Sequence, residues 1–165
     1  MTVTDEALQA NQQFARDFDR GDAPMPPARK LAVVACMDAR LHPETFLGLD
    51  IGDAHMIRNA GGRVSDDALR SLIISTHLLG TNEYMVIHHT DCGMLTFTNE
   101  DLHNKLSRET GADASHIDFL PFGDLEESVR EDMRRIKDSP LIPNDIPVRG
   151  FVYDVRSGRL SEVSA

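Results

Sequence analysis

The side chains with the clearest chemistry are the only two cysteines of the chain and the residues that accompany them. Cys36 stands two residues before Asp38, and His89 stands three residues before Cys92. Two thiolates and an imidazole suit Zn²⁺, a borderline-soft cation that prefers tetrahedral sulfur and nitrogen coordination. A carboxylate or a water molecule can fill the fourth position. The spacing indicates one zinc ion held by two short segments; the alternative is a buried structural thiol and ordinary hydrogen-bonded histidines.

Arg40, two residues after Asp38, bears on the fourth position of such a site. If Asp38 binds the cation, four protein ligands make a closed site. If the guanidinium of Arg40 holds the carboxylate in a bidentate pair, the fourth position is open to water. Zinc lowers the pKa of bound water to about 7, so the open arrangement is the catalytic one. The sequence leaves both arrangements open, and a surface ion pair of little consequence is a third interpretation of Arg40.

Both cysteine segments follow apolar runs that are typical of buried strands. The run LAVVAC (31–36) is continuous, as in a strand covered on both faces, and EYMVIHH (83–89) leads into the second segment. The clearest helix lies between them, with Ser65 as its cap and Gly80 as its terminator. The other predicted elements are a strand at 54–59, helices at 5–19, 98–110 and 124–138, a short helix that starts at Pro43, and a C-terminal β-hairpin around Ser157 and Gly158.

Strands that alternate with helices predict an α/β fold, with a central, mostly parallel β-sheet flanked by helices and an N-terminal helical arm. In such sheets, ligands collect at the carboxyl ends of the strands, where both cysteines stand. A length of 165 residues predicts a single domain over 1–165. Within it we expect an arm at 1–20 and a proline-rich linker at 21–30, because prolines fix the backbone and remove hydrogen-bond donors.

The composition and charge of the chain limit the classes of binding partner and the cellular compartment that we expect. The net charge of −10 argues against nucleic acid or an anionic membrane as a partner, because phosphate binding needs clustered basic side chains. The first residues lack the basic and apolar regions of a secretory signal, and the apolar runs are too short to span a bilayer. Two cysteines without a disulfide framework suit a reducing compartment. We therefore expect a cytoplasmic protein.

Three segments resemble the β-class carbonic anhydrases. CMDAR (36–40) is similar to the Cys-x-Asp-Ser/Ala-Arg motif of that family, and HTDCG (89–93) is similar to its His-x-x-Cys-Gly motif. IRNAGG (57–62), which lies between them, resembles the Arg-Asn-Ala-Gly segment of the family. The resemblance is strong over 30–97, weaker over 148–155, and closest to the short actinobacterial members. Two motifs and a middle segment in the same order make it specific.

The resemblance implies a set of expectations for the site. One Zn²⁺ per chain would be held by Cys36, His89 and Cys92, with Asp38 either as the fourth ligand or paired with Arg40. Asp38 and Arg40 would be the catalytic residues, and Asp38 would orient a zinc-bound hydroxide that attacks carbon dioxide. The family thus implies reversible hydration of carbon dioxide to bicarbonate. It also implies a homodimer or a tetramer built from dimers, in which the N-terminal arm packs on the partner.

Two alternative functions stay open at this level. The glutamine and aromatic pocket residues of plant-like members are not recognisable before Cys36, which leaves room for a zinc hydrolase of another small cumulene such as carbon disulfide. A non-catalytic, zinc-stabilised binding module is the other alternative, with Asp38 closing the site. His42, His55 and His88 are candidate proton relays because histidine titrates near neutral pH, although surface or hydrogen-bonded histidines explain them more simply.

Overall fold

A computed structural model describes all residues from Met1 to Ala165, and its centre is one five-stranded sheet with the strand order β2-β1-β3-β4-β5. The strands are β1 (Leu31–Cys36), β2 (Ala54–Asn59), β3 (Glu83–His89), β4 (Val148–Tyr153) and β5 (Leu160–Val163). The helices are α1 (Val3–Arg16), α2 (Pro43–Leu47), α3 (Asp66–Leu79), α4 (Asn99–Thr110) and α5 (Leu125–Lys137). The α/β fold predicted from the sequence is confirmed.

Strand pairing is parallel except at one edge of the sheet. β1 pairs in parallel with both β2 and β3, and β3 pairs in parallel with β4. β5 runs antiparallel to β4, as predicted for the C-terminal hairpin. The predicted helix at 5–19 begins and ends earlier than expected, at Val3 and Arg16, because Thr2 caps its N-terminus and Asp17 leaves the helical conformation. All other predicted elements agree with the structure to within about two residues.

The sheet is covered on both faces, which explains the continuous apolar sequence of β1. On one face, alternate residues of the central strands pack against α3 and α5 around Leu72, Val129 and Ile136. On the other face, Val33 and Ile87 pack in a second cluster against the residues of α2. A strand that is buried on both sides has no polar face, so its sequence shows no alternation.

Three helix ends have residues typical of their positions. The Ser65 hydroxyl accepts a hydrogen bond from the Ala68 amide at 3.2 Å, and α3 ends at Gly80 in the left-handed conformation. Asp124 caps α5 in the same way through the Glu127 amide at 2.9 Å. These caps satisfy amides that a helix start leaves without partners, so they fix where α3 and α5 begin.

Two short 3-10 turns complete the edge of the sheet where the parallel strands end. One spans Ala60–Gly62 directly after β2, and the other spans Gly93–Leu95 shortly after β3. The first turn has Gly61 and Gly62 at positive φ, 83° and 66°. Glycine adopts this region without the Cβ penalty of other residues, so the turn depends on these two positions.

Helix α1 differs from the others because none of its residues is buried. Leu8 and Phe14 are 58% and 55% exposed, and Phe18, just beyond the helix, is 44% exposed. A helix with an apolar stripe and no cover within its own chain is a candidate for contact with another surface. The structure contains no helix with the length and apolar character that a membrane crossing requires.

Close packing of α5 on β4 gives a test of the fold. A Cβ added at Gly150 would overlap Val129 Cγ1 and would lie 2.7 Å from Met133 Sδ. Gly150→Ala should therefore lower the free energy of unfolding by about 1–3 kcal/mol through overpacking, measured by urea denaturation. Gly123→Ala is the matched control, because nothing lies within 4 Å of its Cβ position. Equal stability of the two variants would contradict this packing.

Candidate metal centre

The site is assembled where β1 and β3 end side by side. Cys36 is the last residue of β1 and His89 is the last residue of β3, while Cys92 follows after a tight loop. The parallel register pairs Ala35 with Ile87, so both strands end at the same edge of the sheet. The two sulfurs and a ring nitrogen of His89 lie within 4.8 Å of one another, and all three residues are buried. This cluster can hold a metal ion.

The orientation of the His89 ring fits metal binding. Nδ1 lies 2.7 Å from the carbonyl oxygen of Thr90. Because a carbonyl only accepts, Nδ1 carries the hydrogen and Nε2 carries the lone pair. Nε2 is buried and has no hydrogen-bond partner. A buried acceptor without a partner is unfavourable, and metal-binding histidines usually donate their other N–H to a carbonyl or a carboxylate. The donor set and this orphaned nitrogen together fit a cation.

The two thiols form a pair with very different acidities. A hydrogen bond from the Cys92 thiol is the main cause that lowers the pKa of Cys36, against the opposing effect of burial. The backbone amides of Asp38 and Gly61 lower this pKa further. The pKa of Cys92 is raised, because Cys92 is the donor and is also buried. The centre therefore favours a thiolate at Cys36, and thiolate is the form that binds metals.

Asp38 lies beside this cluster but is held by Arg40. Arg40 Nε donates to Asp38 Oδ1 at 3.0 Å and Arg40 Nη2 donates to Oδ2 at 2.7 Å, and the Arg40 amide donates to Oδ1 at 2.8 Å. These bonds hold the pKa of Asp38 well below its usual range. Asp38 Oδ2 lies 3.7 Å from His89 Nε2, which is too long for a hydrogen bond. Of the two arrangements that the sequence left open, the structure adopts the pair with Arg40.

Arg40 also joins the two site loops. Its Nη1 donates to Asp91 Oδ2 at 2.8 Å, and its Nη2 donates to the Asp91 carbonyl at 2.9 Å. Asp91 adopts a positive φ of 55°, which aspartate tolerates better than most residues. Arg58 holds the loop that follows β1, since it donates to the carbonyls of Cys36 at 3.0 Å and Asp38 at 2.8 Å. Two guanidinium groups thus fix the backbone that carries the cluster.

A small cavity opens onto the cluster. Its volume is about 390 Å³. Besides the two cysteines and Asp38, its lining includes Gly61, Met94 and Phe97. The wall is tightly built, because an added Cβ at Gly61 would lie 2.9 Å from Met94 Cγ. The cavity is therefore suited to a small molecule with a largely apolar surface.

The sequence-predicted residues separate into two groups in the structure. Cys36, His89 and Cys92 come together, with Asp38 and Arg40 paired at their side. The three histidines considered as proton relays are not part of the cluster. His42 is exposed, His55 is bonded to Ser75 Oγ at 2.7 Å, and the fully buried His88 is on the other side of β3.

Sequence reasoning missed the roles of Arg58 and Asp91. Both lie inside the segments that resemble the β-class family, and this position is the only feature of the sequence that indicates a role for them. Their partners are backbone carbonyls and the guanidinium of Arg40, which no spacing rule predicts. Their function as supports became visible only in three dimensions.

Comparison with known proteins agrees with this arrangement. The sequence profile described as carbonic anhydrase matches residues 31–120. The chain is 48% identical over 166 residues to beta-carbonic anhydrase 1 of Mycobacterium tuberculosis, covering 99% of both chains. It is 38% identical to a carbon disulfide hydrolase of Acidianus sp., over 94% of this chain and 86% of the relative. It superimposes on a carbonic anhydrase crystal structure from Streptococcus mutans with a TM-score of 0.95 at 51% identity, covering 99% of both chains.

The fold and the site together define an α/β protein with a Cys-His-Cys cluster at the carboxyl edge of a parallel sheet. The family follows from two comparisons: the 48% identity to the Mycobacterium relative over nearly the whole chain, and the sequence profile that matches more than half of it. The chain belongs to the β-class carbonic anhydrase family. The resemblance drawn from its three segments is confirmed.

Cobalt binding tests the cluster independently of any activity. Co²⁺ bound by two cysteine sulfurs should give a thiolate-to-cobalt charge-transfer absorption. Cys36→Ser and Cys92→Ser should each weaken this absorption, because each removes one sulfur, and His89→Ala should weaken Co²⁺ binding at least tenfold. His42→Ala is the control, since His42 is exposed and outside the cluster. Stoichiometric Co²⁺ without charge-transfer absorption in the wild type would contradict the proposed ligand set.

Proposed function

We propose that this protein is a zinc-dependent carbonic anhydrase that interconverts carbon dioxide and bicarbonate. Membership of the β class gives the reaction, and one observation in the structure carries it: a Cys-His-Cys cluster next to a carboxylate that Arg40 holds aside. That arrangement leaves three protein ligands and room for a fourth, which is the pattern of catalytic zinc sites.

Zinc is the metal that the donor set favours. Cys36, His89 and Cys92 would hold one ion per chain, because two thiolates and one imidazole suit a borderline-soft cation. When bound, zinc supplies the Lewis acidity that makes water a nucleophile at neutral pH. The Thr90 carbonyl holds His89 in the tautomer that presents Nε2, so the ring needs no rearrangement to bind.

Asp38 is the carboxylate that the chain itself supplies to orient the nucleophile. Its pairing with Arg40 keeps it ionised, so it acts as a hydrogen-bond acceptor for the attacking water. Arg40 has a second anchor on Asp91, which fixes the direction of the Asp38 carboxylate. Accepting one hydrogen of the nucleophile would leave its lone pair free to point at the substrate carbon. Asp38 and Arg40 are the proposed catalytic pair.

The cavity suits the substrate. Carbon dioxide is small, linear and uncharged, and most of the residues that line the cavity beside the cluster are apolar, among them Met94 and Phe97. Apolar walls hold few ordered waters, so a small apolar molecule enters at low cost. Bicarbonate is charged, and the buried apolar walls favour its departure.

A carboxamide at position 38 tests the proposed role. Asp38→Asn should keep zinc at one ion per chain but lower kcat for carbon dioxide hydration about a hundredfold or more, the usual scale for loss of acid–base assistance. Stopped-flow assays with a pH indicator measure the rate, and elemental analysis measures zinc. Asp67→Asn is the control, because Asp67 is an exposed residue of α3 that pairs with Arg70. Full activity of Asp38→Asn would contradict the assignment.

The same preparations separate the alternative functions. Relatives named carbon disulfide hydrolase make that cumulene the second candidate substrate. Release of hydrogen sulfide from carbon disulfide, with no carbon dioxide hydration, would favour it. Zinc at one ion per chain with neither activity would favour a non-catalytic module. The Asp38–Arg40 pair supports the catalytic alternatives, because a closed structural site would use Asp38 as its fourth ligand.

We also propose a homodimer, with a tetramer of dimers as the larger form. The support is the apolar stripe of α1, which no part of the same chain covers. In this proposal, residues 1–20 are an arm of the single domain 1–165, joined to it by the linker at 21–30. A reducing compartment such as the cytoplasm fits the two free cysteines.

Light scattering after size exclusion tests the assembly. The wild type should elute at twice the chain mass of 18.3 kDa or a higher even multiple. Phe14→Ser combined with Phe18→Ser should shift the protein toward monomer, because the two rings pack together on the exposed stripe. Gln9→Ser combined with Gln12→Ser is the control on the same helix. A monomeric wild type would contradict the proposal.

A further inference from the structure

His88 is adjacent to the proposed ligand His89 but serves the opposite face of the sheet. Successive residues of a strand point to opposite sides, so one histidine faces the cluster and the other faces α5. His88 is 0% exposed. It lies against Ser128 and Asp132 of α5, which excludes direct proton exchange with solvent. A buried polar ring in an apolar core is costly unless every polar atom is bonded.

Each ring nitrogen of His88 has a partner. Nδ1 lies 2.7 Å from Ser128 Oγ. Nε2 lies 3.1 Å from the Gly62 carbonyl and 3.0 Å from Asp132 Oδ2. Because the carbonyl only accepts, Nε2 must carry the hydrogen and donate it. His88 therefore holds the Gly62 carbonyl from the far side of the sheet.

The partners of His88 are themselves held in place. Asp132 Oδ2 lies 3.1 Å from Arg63 Nε, and Arg63 Nη2 donates to Glu131 Oε2 at 3.0 Å. Phe122 stacks on His88 with ring centroids 5.4 Å apart, and the Arg63 guanidinium lies 5.4 Å from the same ring. The His88 side chain is thus fixed by charges and by an aromatic face, with little freedom to follow a moving turn.

Gly62 transmits this constraint to the metal centre. A Cβ at Gly62 would lie 2.8 Å from the Cys36 amide nitrogen and 2.9 Å from the Ile87 carbonyl oxygen, so the turn presses against the ends of β1 and β3. The preceding residue, Gly61, lines the cavity beside Cys36. The position of this turn therefore bears on the end of β1 that presents the Cys36 sulfur, and outer-shell contacts of this kind tune a metal site.

We propose that His88 is a positioning residue for the metal centre, because its Nε2–H holds the Gly62 carbonyl and thereby fixes the turn that packs against Cys36. It touches neither substrate nor metal. Its effect travels through one turn of backbone that is already in contact with Cys36. The inference rests on metal binding by the proposed site.

Two substitutions of His88 in the full-length chain, compared with each other, test the inference. Asn at position 88 keeps a polar amide but is too short to reach Gly62, whereas Gln is long enough to donate to it. His88→Asn should weaken zinc binding about tenfold to a hundredfold, the range for lost outer-shell partners, and should shift the thiolate-to-cobalt absorption. It should also lower kcat with little change in KM. His88→Gln should restore all three toward wild type. Zinc competition with a chromogenic chelator gives the affinity.

A matched pair at His55 controls for loss of a histidine hydrogen bond elsewhere. His55 bonds Ser75 Oγ at 2.7 Å and precedes Asn59, the end of β2, by four residues, roughly 13 Å along the strand. His55→Asn and His55→Gln should leave cobalt absorption and zinc affinity unchanged. A folded His88→Asn with wild-type absorption and affinity would overturn the inference, as would equal shifts from the His55 variants.

Two further outcomes keep the test decisive. If His88→Asn does not fold, Ser128→Ala replaces it, because this variant removes the Nδ1 partner that holds the His88 ring toward Gly62, together with the bond from the Ser128 hydroxyl to the Leu125 carbonyl. A shifted cobalt absorption in Ser128→Ala supports the positioning role and an unchanged one overturns it. Absorption and affinity do not depend on turnover, so a wild type that binds metal but fails to hydrate carbon dioxide would sink the proposed function and leave this inference standing.

Discussion

Parallel pairing of β1 with β3 is the constraint on which the site depends. The register places Ala35 beside Ile87, so the residues that follow, Cys36 on one strand and His88–His89 on the other, emerge at one edge. Side chains alternate along a strand, so a slip of one residue would turn His89 toward α5 and His88 toward the cavity. Such a slip would exchange the side chains of two differently packed apolar layers, and the close packing of both clusters opposes it. The core therefore sets the geometry of the metal centre.

Arg40 offsets the repulsion between the negative groups that meet at this edge of the sheet. A thiolate at Cys36 and the carboxylates of Asp38 and Asp91 gather within two short loops, and like charges at such distances repel. One guanidinium donates to both carboxylates, which joins the loops and directs Asp38 toward Arg40. The carboxylate can then stand beside a cation without binding it. The same pair provides both the loop geometry and the open position that a catalytic site needs.

Local signals in the sequence predicted most of the fold and the centre of the site. Caps such as Ser65 and Gly80 and the apolar run before Cys36 act over a few residues, and short spacing carries the ligand pattern. The supports act over long distances: Asp132 follows His88 by 44 residues in the chain, and no periodicity joins them. Glycine shows the same limit. Gly93 ends the HTDCG segment, yet nothing lies within 4 Å of its Cβ position, whereas three backbone atoms lie within 3 Å of the Cβ position of Gly62.

Two adjacent histidines thus have separate tasks because of strand geometry alone. A period of two residues sends His89 to the thiols and His88 into a network with α5, so one strand end serves both the site and its foundation. The helix that packs on β4 through Val129 and Met133 also carries Asp132 to His88. The contact of α5 with the sheet therefore contributes both to the core and to the geometry of the site. A substitution that shifts α5 would move Asp132 and His88, and so act on the metal centre without a direct contact.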